Sequence, residues 1–368
     1  MEIVALQYTS FKSNRQLLFK QVKESNIIMT RFFQVVLFLF AATGVAQSDD
    51  FSKLQKFANG DPTLMPEYGN IEKTREQQDF DTQFLTQLLE EYDGDKTKAG
   101  KKMIDLGFQY LYQHGDLKTA MRRFNQAFLV DSANADIYYG YGTVYFFLGA
   151  IDAARKQFDK GLQIQPGHYQ MLTDYGITYL ADFYNFPDYE VSILDRGLSK
   201  LIESYNINPN YASTTHKLSI FYLYKNDCDN SQKYLKQTEK IDKSVISEDY
   251  LNDFNVICRD KALDCSKIRT GKFRIVDEVS GISIITRTDN YQIEESKENN
   301  FKLKLAITWL DDCTYQLKPV EDLINPEAEL PEMVLTCYIT EVNKDSYMQV
   351  SEADLYPIRL SKEVEIIE

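Results

Sequence analysis

The sequence is poor in the residues that most often catalyse reactions or bind metals. Its 368 residues include one tryptophan, three histidines and five cysteines. The histidines, His114, His168 and His216, share no ligand spacing, and neither an HExxH nor a CxxC motif occurs. The GxSxG motif of serine nucleophiles is also missing. We therefore expect a non-enzymatic protein with no catalytic residue, no cofactor and no metal.

Basic residues are fewer than acidic ones. There are 41 Lys and Arg against 55 Asp and Glu, which gives a formal net charge of -14. An acidic surface repels nucleic acid and anionic lipid, so we expect neither nucleic acid nor a membrane surface as a partner. The simplest role of this charge is solubility. Tyr and Phe, in contrast, are abundant with 25 and 22 residues, which favours aromatic packing over disorder.

A long apolar run is also lacking, and the one candidate is short. Residues 32–42 are nearly all apolar, follow Arg31 and precede the small residues of 44–46. This order is typical of a cleaved export signal, whereas a membrane span takes about 20 residues. We interpret residues 1–46 as a signal-peptide region, with 1–28 as an over-long start. The protein is then exported, to the periplasm or outside the cell, and the alternative is an N-terminal membrane anchor.

Residues 135–168 form a repeat unit of 34 residues. Gly142 and Ala154 lie where the two helices of a hairpin touch, and Pro166 ends the second helix. Phe158 fills the space between neighbouring hairpins. The unit resembles the tetratricopeptide repeat (TPR) at nearly every signature position. The resemblance implies a helical solenoid that binds proteins or peptides.

The same pattern extends on both sides of this unit, with an insertion at 182–189. The predicted fold class is α+β: a TPR solenoid of about four helical hairpins plus capping helices, followed by a small antiparallel β-domain. The predicted segments after the signal are a lead-in and N-terminal capping helix (47–98), the TPR repeats (99–245), a C-terminal capping helix (246–264), the β-domain (265–355) and a tail (356–368).

The first helix of each hairpin lines the concave face of a TPR array, so the resemblance assigns a peptide-binding groove. Apolar and aromatic residues stand where a groove for carboxylates needs Lys and Asn, which indicates an apolar or aromatic peptide as the ligand. The alternative is that these side chains pack against a capping helix or the β-domain. The expected groove residues are Ile104, Phe108, Tyr112, Tyr139, Thr143, Phe147, Ile177, Leu180, His216, Ile220 and Tyr224.

After Cys265 the apolar residues alternate with a period of two, which predicts about six to eight short antiparallel strands. They are expected to form a small sheet, a half-open barrel or a sandwich. Residues 265–273 together with 309–315 resemble a small uncharacterised β-domain of exported Bacteroidetes proteins. A weaker resemblance, on Gly271-x-Phe273, is to lipocalin-like barrels.

Widely spaced cysteines in an oxidising compartment favour disulfides over zinc. Spacing alone leaves their connectivity open, and the β-domain resemblance contributes to the pairing that we expect. The candidate pairs are Cys228–Cys258 and Cys265–Cys313, and Cys337 is expected to be a buried thiol in a strand.

Two functions fit these features. The first is an exported scaffold that binds a protein or peptide partner through the concave groove. The second is a β-domain that binds a small ligand or glycan while the repeats present it, with Trp309 and Tyr315 as the candidate contacts.

Overall fold

The computed structural model describes residues 49–185, 191–277, 281–354 and 359–367. The predicted signal region and part of the predicted insertion lie outside these residues. The chain divides into two compact units, one of helices that extends to Val245 and one that contains residues 246–368 together with 226–229. Helices fill the first unit and strands dominate the second, so the protein is α+β as predicted.

Four consecutive helical hairpins follow a lead-in helix of 10 residues, two short 3-10 segments and a helix of 17 residues. Each hairpin is a pair of successive helices, at residues 96–130, 135–164, 169–207 and 212–242. In the described residues the α-helices are α1 (Asp49–Ala58), α2 (Arg75–Glu91), α3 (Lys96–Gln113), α4 (Leu117–Val130), α5 (Ala135–Phe147), α6 (Ile151–Ile164), α7 (Tyr169–Asn185), α8 (Ile193–Ile207), α9 (Ala212–Tyr224), α10 (Cys228–Asp242) and α11 (Glu248–Ile257).

Side-chain caps explain where several of these helices begin. Asp95, Asp116 and Asn134 each precede a helix and accept a hydrogen bond from a backbone N–H in its first turn. Such a cap pairs a backbone donor that has no partner inside the helix. At the start of α2, Thr74 and Gln77 form a reciprocal capping box. The local sequence therefore determines where these helices begin, independently of the packing between hairpins.

Phe124 of α4 is the centre of the first interface between hairpins. Its ring is fully buried and lies against two glycines, Gly107 of α3 and Gly140 of α5. A Cβ atom at either glycine would overlap the ring. Phe158 of α6 repeats the arrangement on Gly142. The glycines at the small positions of the repeat therefore leave room for the aromatic ring of a second helix. Contact between the ring and the glycine backbone sets the spacing between the helices.

The lead-in packs on the second helices of the hairpins. Asn125 of α4 donates from its side-chain amide to the carbonyls of Thr63 and Met65, at 2.9 and 2.8 Å. Asp50 of α1 accepts a hydrogen bond of 3.0 Å from the backbone N–H of Ala153, in the first turn of α6. These contacts hold the lead-in against α4 and α6.

The β-domain is a closed eight-stranded barrel in which sequential strands pair antiparallel and β8 closes on β1. This is a correction to the expected sheet, half-open barrel or sandwich, because the last strand closes the sheet on itself and leaves no edge. The strands are β1 (Gly271–Asp277), β2 (Gly281–Arg287), β3 (Tyr291–Ser296), β4 (Phe301–Asp311), β5 (Thr314–Asp322), β6 (Leu335–Val342), β7 (Ser346–Ala353) and β8 (Arg359–Ile366).

Strand β8 lies in residues 356–368, for which we expected a tail. It pairs with β7 along its length and with β1 at Phe273↔Ile366. Lys362 faces the same side as Val364 and Ile366, so a charge interrupts the apolar alternation. Its ammonium forms an ion pair with Asp277 of β1, a partner that is distant in sequence. The strand is therefore stabilised by non-local pairing, which its own sequence pattern does not reveal.

Helix α11 covers most of the predicted C-terminal cap, but it belongs to the unit that contains the barrel. Its Asp253 is buried and forms an ion pair with Arg359 of β8, and the helix contacts β6. A buried carboxylate needs a charged partner, and the barrel supplies it. Helix α11 therefore packs on the barrel of its own unit.

Two disulfides join the expected pairs, Cys228–Cys258 and Cys265–Cys313. Cys337 is a buried thiol in β6, and burial raises its pKa to about 11. The thiol therefore stays protonated at neutral pH, and a protonated thiol is unreactive. Disulfides of this kind persist in oxidising compartments.

Candidate functional site

The structure divides the eleven predicted groove residues into two groups. The first group is buried in the helical core and has little side-chain surface to offer: Ile104, Thr143, Leu180, His216 and Ile220. The second group is half-buried: Phe108, Tyr112, Tyr139, Phe147, Ile177 and Tyr224. Each of these six lies on the first helix of a hairpin, either α3, α5, α7 or α9.

Four aromatic side chains of α3 and α5 form a continuous strip. The ring of Phe108 lies 5.2 Å from the ring of Tyr139 and stacks on Tyr112 at 6.0 Å. Tyr112 in turn meets Phe147 edge-on, at 6.1 Å. We call these four residues the aromatic strip. Because each is only half-buried, the strip presents ring surface that the repeats themselves do not cover.

A polar group adjoins the strip, and sequence reasoning missed it. The hydroxyl of Tyr139 donates a 2.7 Å hydrogen bond to Asp174 of α7. The charge of Asp174 also acts on Lys217 of α9 and on Tyr112. All four side chains are half-buried. We call Asp174 and Lys217 the charged corner of the groove. Its two residues lie on α7 and α9, and the hydrogen bond from Tyr139 links Asp174 to the aromatic strip.

The charged corner is crowded by protein, which disfavours both charges. Burial raises the pKa of Asp174, and the hydrogen bond from Tyr139 and the charge of Lys217 only partly oppose this. Burial lowers the pKa of Lys217, and the charge of Asp174 partly opposes that shift. Neighbouring His216 is neutral at physiological pH, since burial lowers its pKa to about 3. The two charges therefore compensate each other incompletely.

A second concavity lies on the other side of the repeats, between the lead-in, α2 and α4. It has a volume of about 410 Å³, and its wall includes Tyr68, Ile71, Phe80 and Arg122. The Phe80 side chain is 70% exposed. The cations of the wall are already paired, Arg122 with Asp61 and Lys73 with Asp81. This concavity therefore offers apolar surface beside cations that already have partners.

The two residues proposed as ligand contacts in the β-domain differ in burial. Tyr315 is fully buried, and its hydroxyl accepts a 2.7 Å hydrogen bond from Arg287 and donates one to Gln349. Trp309 packs on the Tyr315 ring at 4.8 Å and is covered by the guanidinium of Arg269. Tyr315 is therefore part of the barrel core, and Trp309 packs against that core.

The described ranges contain neither a metal-binding cluster nor a helix that could span a membrane. Among these residues, no group of three or more His, Cys, Asp and Glu is placed to hold a metal ion. In the same part of the chain, none of the helices combines the length and the apolar character needed to cross a bilayer.

Comparison with known proteins identifies the repeats. Residues 111–174, from the end of α3 to the start of α7, match the family model described as tetratricopeptide repeat. This segment is therefore similar to tetratricopeptide repeats, as the sequence resemblance indicates. No curated protein matches the chain.

Solved structures with similar repeats share little sequence with this chain. The thermophilic TPR protein TTC0263 of Thermus thermophilus is 19% identical and has a TM-score of 0.37; the match covers 43% of this chain and 78% of that one. PilF of Pseudomonas aeruginosa is 16% identical with a TM-score of 0.37, over 44% and 68% of the two chains. YrrB, described as a TPR protein with an unusual peptide-binding site, is 19% identical with a TM-score of 0.21, over 40% and 92%.

Proposed function

We propose that this protein is a non-enzymatic, exported scaffold whose groove binds a peptide segment of a partner protein. The observation that carries the proposal is the aromatic strip, because it lines the first helices of the repeats and is only partly buried. Aromatic side chains supply large contact areas at low cost in conformational entropy. An apolar or aromatic peptide would bury this surface.

The contacts of the lead-in support an open groove. Asn125 and Ala153 hold the lead-in against α4 and α6, which are second helices. The strip belongs to α3 and α5, which are first helices. The lead-in residues thus bind to the opposite helices of the same hairpins, and the strip keeps its exposure.

Export is part of the proposal and rests on two features. The first is the signal-like N-terminal sequence, and the second is the pair of disulfides, which is characteristic of oxidising compartments. We infer that the partner is also an exported protein.

An array of end-blocked decapeptides tests the groove directly. The wild-type protein is expected to bind peptides rich in Phe, Tyr, Leu and Ile, with affinities measured by fluorescence polarisation on the best sequences. Phe147→Ala is expected to weaken binding by about 10-fold or more, because it removes a ring from the strip.

Phe80→Ala is the matched control, since it removes an exposed ring from the opposite side of the repeats. It should leave the affinity unchanged. Circular dichroism melting would verify that both variants remain folded. If Phe80→Ala abolishes binding and Phe147→Ala does not, the ligand occupies the other concavity and the groove proposal is wrong.

A further inference from the structure

The turn that leads into α2 has an unusual backbone and contributes to the wall of the second concavity. The four residues from Glu67 to Asn70 all have positive φ angles, of 56°, 56°, 69° and 52°. This left-handed conformation is unfavourable for the three of them that are not glycine, and such strain is concentrated at binding sites. The repeats hold the turn in place, because the Tyr141 hydroxyl accepts a 3.3 Å hydrogen bond from the Glu67 N–H. The turn thereby fixes Tyr68 in the wall of the concavity.

The charged side chains of this wall favour neither an anionic nor a cationic ligand. Lys73 and Arg122 are the cations of the wall, and both already form ion pairs with aspartates. An anionic ligand would therefore find no free cation. A cationic ligand would find the Glu76 carboxylate, but this side chain is exposed to solvent, so its charge is screened. A charged ligand would lose hydration here with little compensation, and a neutral ligand fits better.

The wall also holds neutral polar groups that have hydrogen-bonding capacity to spare. Gln77 and Gln126 each accept one hydrogen bond through Oε1, and their side-chain N–H groups donate to no residue in the described ranges. The Tyr68 hydroxyl also has no hydrogen-bond partner in that part of the chain. Burial raises the pKa of Tyr68, so its hydroxyl keeps the proton at neutral pH and can both donate and accept. Two amide donors and one hydroxyl thus line the same concavity.

Exposed apolar surface lies beside these polar groups. Phe80 is 70% exposed and Ile71 is 50% exposed. The volume of about 410 Å³ falls in the range of small-ligand sites, about 300–1,000 Å³. A ligand for this wall needs an apolar face for the Phe80 ring and, around its edge, neutral groups that donate and accept hydrogen bonds. A sugar ring has both, with C–H groups on its faces and hydroxyls at its edge.

We propose that the second concavity binds a neutral oligosaccharide. The C–H face of one sugar lies on the Phe80 ring, because the negative face of the ring attracts the slightly positive C–H hydrogens. The sugar hydroxyls form hydrogen bonds with Tyr68, Gln77 and Gln126. An apolar side chain in the same place would leave these three polar groups without partners. The sugar site shares no residue with the aromatic strip, so it is a function beyond peptide binding.

Isothermal titration calorimetry of the full chain against neutral tetrasaccharides of glucose, mannose, xylose and N-acetylglucosamine tests this proposal. We expect at least one of them to bind. Phe80→Ala is expected to weaken its binding by about 10-fold or more, whereas Phe80→Tyr keeps the ring and should retain the affinity. Tyr68→Phe removes only the hydroxyl and is expected to weaken binding by about 2- to 10-fold. Tyr291→Ala is the matched control, because it removes a 42% exposed ring from the barrel, and it should leave the affinity unchanged.

Several results would overturn the sugar site. It is wrong if none of the tetrasaccharides binds, if Phe80→Ala and Tyr68→Phe bind them as the wild-type protein does, or if an oligosaccharide of uronic acids binds more tightly than its neutral counterpart. It is also wrong if Tyr291→Ala weakens binding as much as Phe80→Ala, because the sugar then lies elsewhere. Circular dichroism melting would verify that each variant remains folded. Peptide binding in the groove depends on Phe147 and sugar binding on Phe80, so either proposal can fail while the other stands.

Discussion

Arg287→Met is expected to destabilise the barrel by about 3–5 kcal/mol. The Arg287 side chain is 2% exposed and lies inside the barrel. Its guanidinium donates at 2.7 Å to the side-chain oxygen of Gln292, the carbonyl of Ile268 and the hydroxyl of Tyr315, and at 3.1 Å to Tyr347. Methionine fills similar space but leaves these acceptors without their donor. Buried polar groups without partners are costly.

The fluorescence of Trp309 allows the stability of the barrel to be measured. It is the only tryptophan in the sequence and packs on Tyr315 in the barrel. Urea unfolding followed by tryptophan fluorescence therefore reports on the barrel, and its midpoint should fall in Arg287→Met. Arg274→Met is the matched control, because Arg274 is a partly exposed arginine of the same barrel paired with Glu365, and such pairs are worth less than about 1 kcal/mol. Equal midpoints for the two variants would contradict the role of Arg287.

Phe124→Ala is expected to destabilise the repeats by about 3–5 kcal/mol. The ring is completely buried, contacts Phe108 edge-on at 5.0 Å, and packs against Gly107 and Gly140. Glycine backbones cannot move into the vacated volume without breaking helix geometry, so a cavity remains. Urea unfolding followed by far-UV circular dichroism, which is dominated by helices, measures the loss.

The control for Phe124→Ala is Phe80→Ala on α2. The Phe80 ring is largely exposed, and surface substitutions usually change stability by about 0.5 kcal/mol or less. A small effect at position 124 would mean that the hairpins do not depend on this ring. The tryptophan transition of the barrel should be unaffected by either substitution, because Phe124 and Trp309 lie in separate units.

The repeats were predictable because the residues that form each hairpin lie close together in the sequence. Gly142, Ala154 and Phe158 recur at the spacing that a helical hairpin requires, and helix caps such as Asp116 are local signals. The barrel was predicted only as a β-domain. Its closure depends on β8, in which Lys362 takes an inward position and is stabilised by a partner from the first strand. Such a pair cannot be derived from the pattern of one strand.

The candidate binding groove was predictable only in part, because some of its residues come together from distant parts of the sequence. Aromatic residues at the positions of the first helices indicated the strip, and they lie together in the structure. Asp174 and Lys217 were missed because charged residues on helices usually face solvent. Their charges act on each other across two hairpins, and the separation of 43 residues in sequence carries no local signal. The buried positions, such as Leu180 and Ile220, belong to the helical core.

Hydrogen–deuterium exchange with and without the best array peptide tests the location of binding most directly. The account predicts slower exchange in α3, α5, α7 and α9, the helices that carry the aromatic strip and the charged corner. The lead-in, α2 and the barrel strands should exchange at unchanged rates. Protection confined to α2 and the lead-in, or to the barrel, would contradict the central claim that the groove of the first helices is the binding site.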